Sequence, residues 1–245
     1  MPRHRPYAIK VELARGCTQR CPFCSLPNMA WADGPWVFMP ELRFRVMIDE
    51  LAAWLPQGVR IEFEGRGEPS FHPKLYEFVS YARAQYPRCQ MLLTTNGDMV
   101  NHKKDGYRAW IEGLLAAGLN FVMLDCYTAE RYADFVERFS GAARCFEDKT
   151  HPYTYRGPGH KQIIVMDAAP GRESTIRQYH NQGGTVDPVR AKAAGFEILM
   201  TNGQSQQKMC VRPFRELTVW SDGSIPICCN DWLPANVLGK FPEET

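Results

Sequence analysis

Short apolar segments of strand length alternate with longer amphipathic segments of helix length along the first two thirds of the sequence. This alternation predicts strands at residues 7–13, 59–64, 90–95, 120–125 and 161–167. It predicts helices at residues 40–55, 73–85, 107–117 and 129–139. Such an order is typical of repeated βα units that build a parallel sheet, with functional residues in the loops at the carboxyl ends of the strands. The lack of a Gly-x-Gly-x-x-Gly turn argues against a dinucleotide-binding Rossmann domain.

Composition excludes several classes of protein. Of the 245 residues, 44% are apolar and 23% are charged, which is typical of a globular protein and not of a disordered one. The formal net charge is only +2, so direct nucleic-acid binding through an extended surface is not expected, although a local basic patch is not excluded. No apolar run approaches the roughly 20 residues of a membrane-spanning helix, and no signal peptide is recognised. We therefore expect a cytoplasmic protein.

Glycine and proline interrupt the chain more often after about residue 168. We predict a boundary near residue 170, which gives a first domain at residues 1–170 and a small α+β extension at residues 171–245. Within the extension, a β-hairpin is predicted from residues 217–220 and 225–228, with its turn at Asp222 and Gly223.

Three of the nine cysteines are clustered. Cys17, Cys21 and Cys24 follow the first predicted strand with the spacing C-x3-C-x2-C. Clustered thiols in a chain without an export signal indicate a metal site or catalysis rather than disulfide bonds. Three thiolates on one loop suit a 4Fe–4S cluster with one iron free of protein ligands, because the usual cluster has four such ligands. A zinc site and a set of redox-active thiols are the alternatives that the spacing leaves open.

The cysteine loop, together with Phe23 before its third cysteine, resembles the signature of the radical S-adenosylmethionine (radical SAM) superfamily. Residues 64–69, with the sequence EGRGEP, are similar to the Gly-Gly-Glu-Pro turn of that family. Arg66 departs from the pattern because it stands where the first glycine usually lies. Residues 94–97, with the sequence TTNG, also resemble the family. The resemblance covers about residues 7–170.

This resemblance implies a partial (β/α)6 TIM-like barrel and a defined set of cofactors. Cys17, Cys21 and Cys24 would bind a 4Fe–4S cluster whose open iron chelates S-adenosylmethionine. One electron from the cluster, delivered by a flavodoxin- or ferredoxin-type donor, would cleave the cofactor to a 5′-deoxyadenosyl radical that abstracts a hydrogen atom from substrate. Gly67 and Glu68 would bind the ammonium group of the cofactor.

Further cofactor and catalytic residues are expected near the same strand ends. The backbone of Phe23 is a candidate for contact with the adenine, and its alternative role is packing beside the cluster. Asn96 and Asp125 are candidates for cofactor or substrate contact, and both could instead cap turns. Cys126 is a candidate hydrogen-atom donor if it faces the cavity. The alternative for Cys126, as for Cys89, is a buried structural thiol.

Cys210, Cys228 and Cys229 form a second group of thiols around the predicted hairpin. This pattern resembles the SPASM/twitch extension of radical SAM enzymes, which holds an auxiliary 4Fe–4S cluster, and within that class it is similar to the 2-deoxy-scyllo-inosamine dehydrogenases. The sequence departs from the pattern because it lacks the further Cys-x2-Cys that lies beyond the last helix in twitch extensions. Cys229, Asp231 or Cys145 would then have to complete the ligand set, and structural thiols are the alternative.

The reaction is not chosen by the superfamily alone, because one fold supports many chemistries. We expect an oxidoreductase or isomerase acting on a small-molecule or nucleotide-type substrate. A peptide maturase is less expected, because the N-terminal recognition domain that such enzymes often carry has no room before the first strand. An iron–sulfur electron carrier or redox sensor is the non-catalytic alternative, and it would not need Gly67 and Glu68.

Overall fold

A computed structural model describes residues 5–102, 106–146, 157, 159–169, 179–180, 185–196, 198–199, 211–233 and 237–241. In this part of the chain, the main feature is a seven-stranded sheet in which all neighbouring strands are parallel. Its strands are β1 (Ala8–Val11), β4 (Arg60–Phe63), β5 (Gln90–Thr95), β6 (Phe121–Cys126), β7 (Ala143–Phe146), β8 (Gln162–Asp167) and β11 (Glu216–Val219). Their order across the sheet is β11-β1-β4-β5-β6-β8-β7. This parallel α/β architecture confirms the predicted fold class.

Helices follow β1, β4, β5 and β6 along the chain. The helices are α1 (Glu41–Trp54), α2 (Leu75–Gln85), α3 (Asp98–His102), α4 (Tyr107–Ala117), α5 (Ala129–Arg138), α6 (Pro188–Ala193) and α7 (Arg212–Arg215). Two 3-10 turns lie at Leu26–Asn28 and Pro69–Phe71. All five strands and all four helices predicted from the sequence are present, with ends that differ by a few residues. No helix in the described ranges has the length and apolarity needed to cross a membrane.

Three pairs of short strands lie outside the main sheet. They are β2 (Ala14–Arg15) with β3 (Val37–Phe38), β9 (Tyr179–His180) with β10 (Ile198–Leu199), and β12 (Ser224–Pro226) with β13 (Val237–Lys240). The first and third pairs are antiparallel and the second is parallel. In sequence, β2 lies just before the cysteine loop and β3 lies after it, so their pairing holds the two ends of this segment together.

The main apolar core lies between the outer face of the sheet and helices α1, α2, α4 and α5. Strand residues at alternate positions enter this core, as Ile9, Val11 and Leu13 do along β1 and the residues after it. Phe44 of α1 and Phe78 of α2 stack with ring centroids 4.0 Å apart. Because side chains alternate between the two faces of a strand, the intervening residues point to the inner face of the sheet.

The predicted hairpin in the C-terminal region is wrong in its strand pairing. Its turn is present, because the Trp220 N–H donates to the Ser224 carbonyl at 2.9 Å and Gly223 has a φ of +85°. The strand before the turn, β11, pairs instead with β1, and the strand after it, β12, pairs with β13. Without β11, β1 would be an edge strand with unpaired backbone N–H and carbonyl groups on one side. Pairing with β11 gives these groups hydrogen-bond partners. The domain boundary at residue 170 stays a prediction, although β11 extends the main sheet from beyond it.

Candidate active site

A cavity of about 470 Å³ opens at the carboxyl ends of the central strands. This is within the size range of small-molecule sites. Predicted site residues that line it are Cys17, Cys21, Phe23, Cys24, Gly67, Glu68, Asn96, Asp125 and Cys229. The fold therefore brings residues from well-separated parts of the sequence to one place, where loops after parallel strands commonly carry function.

The three loop cysteines are free thiols that are half-buried beside the cavity. The backbone N–H groups of Gln19 and Leu26 donate to the sulfur atoms of Cys17 and Cys24, each at 3.4 Å. Burial raises the pKa of Cys17 to about 11 and also raises the pKa of Cys21 and Cys24. Without a metal the thiols are therefore protonated at neutral pH, so cluster binding would release protons.

The residues present fit a 4Fe–4S cluster better than a single metal ion. In the described ranges, no three His, Cys, Asp or Glu side chains converge closely enough to hold one ion. Ligands of a cluster do not have to converge, because each thiolate binds a different iron atom. The three cavity-lining thiols, with backbone N–H groups already directed at two of the sulfur atoms, supply the donors that such a cluster needs.

The first half of the cysteine loop is held by the segment after β5. Asn96 Nδ2 donates to the sulfur of Cys17 at 3.4 Å and to the hydroxyl of Thr18 at 3.2 Å. Asp98 accepts hydrogen bonds from Thr18 and, at 3.2 Å, from Gln19 Nε2. Asn96 also takes the turn-capping alternative, since its Oδ1 accepts from the Asp98 N–H at 2.8 Å. Its contact with the cofactor or the substrate stays a prediction.

Gly67 lies against the backbone of the cysteine loop. A Cβ atom at this position would be 2.3 Å from the Ala14 carbonyl oxygen and 2.5 Å from that of Gly16. The next residue fixes the same approach, because the Glu68 N–H donates to the Gly16 carbonyl at 2.8 Å. Only glycine allows two backbones to come this close. The turn therefore brings its backbone within reach of a ligand bound at the loop.

Glu68 is buried at the centre of the site. Its carboxylate accepts hydrogen bonds from the Ser70 N–H at 3.0 Å, the Thr95 hydroxyl at 2.6 Å and the Asn96 N–H at 2.7 Å. Burial raises the pKa of Glu68, and the hydrogen bonds from Ser70 and Thr95 act against that rise. Because a carboxylate offers about four acceptor positions, three protein donors leave room for one more. Binding of the cofactor ammonium by Glu68 stays a prediction.

The departure at Arg66 has a structural explanation. The guanidinium of Arg66 is buried and forms a two-point ion pair with Glu12, at 2.8 and 2.9 Å. It also lies over the ring of Trp220, 4.3 Å from the ring centre. Glu12 in turn accepts from the N–H and the hydroxyl of Ser221, at 3.1 and 2.8 Å. Arg66 therefore ties the turn after β4 to the C-terminal region.

The two candidates at the end of β6 point in opposite directions. Asp125 lines the cavity, and the hydroxyl of Tyr127 donates to it at 3.5 Å. Cys126 is fully buried in the core under the helices, and burial raises the pKa of its thiol to about 12. The proposed role of Cys126 as a hydrogen-atom donor is therefore corrected, because alternation along the strand directs it away from the cavity. Cys126 takes the structural alternative.

Phe23 combines cavity lining with packing. Its ring is nearly buried and lies between the rings of Tyr127 and Phe196, with centroids 4.8 and 4.6 Å away. The side chain therefore fixes the loop beside the cluster cysteines, as the packing alternative has it. This arrangement leaves contact between the Phe23 backbone and the adenine as a prediction.

The second group of thiols is described in part. Cys228 and Cys229 are free and half-buried, whereas Cys210 and the side chain of Cys145 lie outside the described residues. Cys229 lines the same cavity as the loop cysteines, and burial raises its pKa to about 11. Nearby, Asp231 has a buried carboxylate oxygen, Oδ2, with no hydrogen-bond partner among the described residues.

Sequence reasoning missed a charged network on the inner wall of the cavity. Lys10 pairs with Glu64 and, at 2.8 Å, with Glu62, and its Nζ lies 3.8 Å from Glu216. Burial alone would lower the pKa of Lys10, but the neighbouring carboxylates of Glu64 and Glu62 raise it above its usual value. Burial alone would raise the pKa of Glu64, but the charge of Lys10 holds it below its usual value. The sequence did contain a signal for this network. Charged residues occupy alternate positions of two predicted strands, Lys10 and Glu12 in the first and Glu62 and Glu64 in the second.

A partial parallel barrel with a three-cysteine loop and a glycine–glutamate turn at one cavity defines a class of cluster-binding enzyme. The sequence model of the Radical SAM superfamily matches residues 11–149, which is more than half of the chain. The chain belongs to the radical SAM superfamily, and as a member it binds a 4Fe–4S cluster and S-adenosylmethionine. The family expected from the cysteine spacing and the EGRGEP turn is thereby confirmed.

Three comparisons place the chain among known proteins. It is 33% identical over 133 residues to GTP 3′,8-cyclase of Mycolicibacterium smegmatis (strain ATCC 700084 / mc(2)155), a match that covers 53% of this chain and 34% of that protein. The chain therefore spans about a third of the length of this curated relative. The crystal structure of BtrN in complex with AdoMet and 2-DOIA has a TM-score of 0.66 at 18% identity, over 97% of this chain and 78% of that one. For anSMEcpe with bound AdoMet the TM-score is 0.55 at 15% identity, over 97% and 75% of the two chains. At these identities the structural likeness supports the fold.

Proposed function

We propose that the protein abstracts a hydrogen atom from a small-molecule or nucleotide-type substrate and completes the reaction by oxidation or rearrangement. The observation that carries this proposal is that the cluster cysteines, the Gly67–Glu68 turn and a separate polar wall line one cavity. An electron carrier would need the cysteines alone. A cavity shared by cofactor residues and further polar groups is what an enzyme with its own substrate requires.

When bound, the cluster and S-adenosylmethionine supply one-electron cleavage of the sulfonium and a carbon radical that removes hydrogen. Cys17, Cys21 and Cys24 hold the cluster. Gly67 and Glu68 orient the amino-acid end of the cofactor through backbone carbonyl and carboxylate acceptors. Packing of Phe23 between two aromatic rings keeps water from that side of the site.

The substrate would meet the wall that the cofactor residues do not form. Lys10, Glu64 and Arg212 bring charges of both signs to the cavity, and Trp220 and Trp232 add flat apolar surface. Such a wall favours a compact substrate with hydroxyl, amine or ring groups. A neutral or weakly charged substrate can form hydrogen bonds with both the positive and the negative side chains, and so it needs no large net charge of its own. Asp125 also lines the cavity and would act as a further acceptor or proton-accepting group.

An auxiliary 4Fe–4S cluster near Cys228 and Cys229 is part of the proposal. Cys228 and Cys229 are free thiols, Asp231 Oδ2 has no hydrogen-bond partner among the described residues, and Cys210 would supply a further thiolate. We expect about eight irons per chain after anaerobic reconstitution, and about four in a Cys210→Ala/Cys228→Ala variant. About four irons in both proteins would show that the second cluster does not form.

The function is tested by mixing the reduced, reconstituted protein with S-adenosylmethionine under strict exclusion of oxygen. We expect 5′-deoxyadenosine, measured by liquid chromatography, and none from a Cys24→Ala variant. Cys89→Ala, which changes a thiol in the core, is the matched control and should retain the product. A reducible cluster that yields no 5′-deoxyadenosine would favour an electron carrier or redox sensor.

Two further expectations accompany the function. The reducing electron would come from a flavodoxin- or ferredoxin-type protein, and the cytoplasm would provide such donors and keep the thiols reduced. Replacement of dithionite by a reduced flavodoxin or ferredoxin in the same assay tests the first. If neither supports 5′-deoxyadenosine formation while dithionite does, the donor class is wrong.

A further inference from the structure

The second half of the cysteine loop is covered by residues 185–196, which come from the C-terminal part of the sequence. Helix α6 lies in this segment, and its Arg190 reaches the loop with its whole guanidinium group. Nε and one terminal nitrogen of Arg190 each donate to the Pro22 carbonyl at 3.4 Å. The same terminal nitrogen donates to the Cys24 carbonyl at 3.0 Å, and the other donates to Asn28 Oδ1 at 3.3 Å. One side chain therefore binds the loop on both sides of its third cysteine.

The backbone of Arg190 is itself fixed. Asp187 caps the start of α6, since its carboxylate accepts from the Val189 N–H at 2.9 Å and from the Arg190 N–H at 3.2 Å. Such a cap stabilises the first turn of a helix and sets the direction of the side chain. The planar, rigid guanidinium then presents several donors in one plane, which a lysine cannot do.

Other contacts bind the same two segments together. Asn28 Nδ2 donates to the Thr185 carbonyl at 2.7 Å, and the hydroxyls of Ser25 and Thr185 are 2.5 Å apart. In addition, the ring of Phe196 packs on that of Phe23. The contact is therefore an extended one, with Arg190 at its centre.

We propose that Arg190 is a positioning residue that holds residues 22–28 in the shape that binds the cluster. We further propose that its positive charge, beside the Cys24 carbonyl, raises the reduction potential of the cluster. A nearby cation stabilises the state with one more electron, and groups around the ligands of a metal tune its potential in this way. This role needs only the cluster of the radical SAM family and holds whichever substrate the cavity accepts.

The test compares anaerobically reconstituted full-length Arg190→Met and Arg190→Lys with the original protein. Lys192→Met is the matched control, because Lys192 is an exposed cation on the same helix. Two quantities are measured: iron retention against a chelator, and the reduction potential by redox titration followed by electron spin resonance. Arg190→Met should retain iron about 10- to 100-fold less tightly and shift the potential to a more negative value. Arg190→Lys should restore the potential but not the iron retention, because it keeps the charge and loses the planar donors.

A second readout uses the cluster-free protein. Iodoacetamide should modify Cys24 faster in Arg190→Lys than in the original chain, as mapped by mass spectrometry, because the loop around it is less fixed while the positive charge that favours the reactive thiolate is kept. Original iron retention and potential in Arg190→Met would overturn the proposal, as would equal effects of Lys192→Met. If Arg190→Met does not fold by circular dichroism, Arg190→Lys decides: iron retention equal to the original protein would overturn the positioning role.

Discussion

The two faces of the central sheet are made by the same strands but hold different kinds of side chain. On β1, Ile9 and Val11 enter the apolar core under the helices, whereas Lys10 reaches the cavity on the inner face. The outer face buries a continuous set of aliphatic and aromatic residues, which is the main source of folding free energy. The inner face can therefore carry charges and ligands that cost stability when buried.

The inner face is itself divided. Along β5, β6 and β8 it holds an apolar cluster of Leu92, Phe121, Met123 and Ile164. Along β1, β4 and β11 it holds the charges of Lys10, Glu62, Glu64 and Glu216. Buried charges persist only when they are paired, as these are. The apolar cluster and the paired charges of the inner face therefore lie on separate strands, and Asp125 at the end of β6 is a charged residue outside that paired network.

The largest expected effect separates a thiol on the cavity side from a thiol on the outer face. Cys21→Ala should abolish 5′-deoxyadenosine formation and cluster binding at the loop, because one of three ligands is lost, and should leave only the roughly four irons of the proposed second cluster. Cys126→Ala should keep both and lose on the order of 1 kcal/mol of unfolding free energy, since it removes one buried sulfur. Iron analysis and urea unfolding measure the two effects. Loss of the cluster in Cys126→Ala would contradict the assignment of faces.

The buried ion pair between Glu12 and Arg66 gives the next largest effect. Arg66→Ala should lower the free energy of unfolding by about 3 to 5 kcal/mol, because it leaves the Glu12 carboxylate buried without its partner. Replacing both residues, as Glu12→Gln/Arg66→Met, should recover most of that loss in urea unfolding of the cluster-free protein, because the amide oxygen of glutamine can still accept from Ser221. A double variant as unstable as the single one would show that the pairing is not the cause.

A substitution on the outer face of β4 tests whether the apolar face can be changed without affecting the site on the inner face. Ile61→Ala should cost about 2 to 5 kcal/mol of stability through lost burial and a cavity, and the folded variant should retain its full iron content. Thermal and urea unfolding measure the stability, and the iron content per folded chain measures cluster binding at the site. Iron content that falls along with stability, at temperatures where the variant stays folded, would contradict independent faces.

The smallest expected effect is the pH dependence of the charged network. Lys10 holds the pKa of Glu64 below its usual value, so this carboxylate stabilises the fold above the unfolded pKa and loses that contribution as pH falls. Glu64→Gln should therefore lose less stability than the original protein when the pH is lowered from neutral towards 4. Urea unfolding at a series of pH values provides the comparison. Parallel pH profiles for the two proteins would show that Glu64 is not stabilised by Lys10.

Local features of the sequence were enough to predict five of the six main-sheet strands and four of the five helices that the structure describes up to residue 167, whereas β7 and the short helix α3 were missed. Their lengths and apolar spacing are set by neighbours in the chain, and the cysteine spacing identified the cluster loop. The pairing of β11 with β1 could not be predicted, because the turn at Gly223 is equally compatible with a hairpin and the choice depends on a strand edge some 200 residues away. The contacts of Arg190 and the Lys10 network could not be predicted either, because their partners are also distant in sequence. Cys126 was misassigned because one residue of register decides which face a side chain occupies.

The most direct test of the central claim is a Mössbauer spectrum of the 57Fe-labelled protein before and after addition of S-adenosylmethionine. A loop with three thiolates leaves one iron of the cluster without a protein ligand, so the cofactor should change the signal of about one iron in four. The Cys210→Ala/Cys228→Ala variant isolates this signal from that of a second cluster. A spectrum in which the cofactor changes no iron, or a protein purified with zinc in place of iron, would contradict the account.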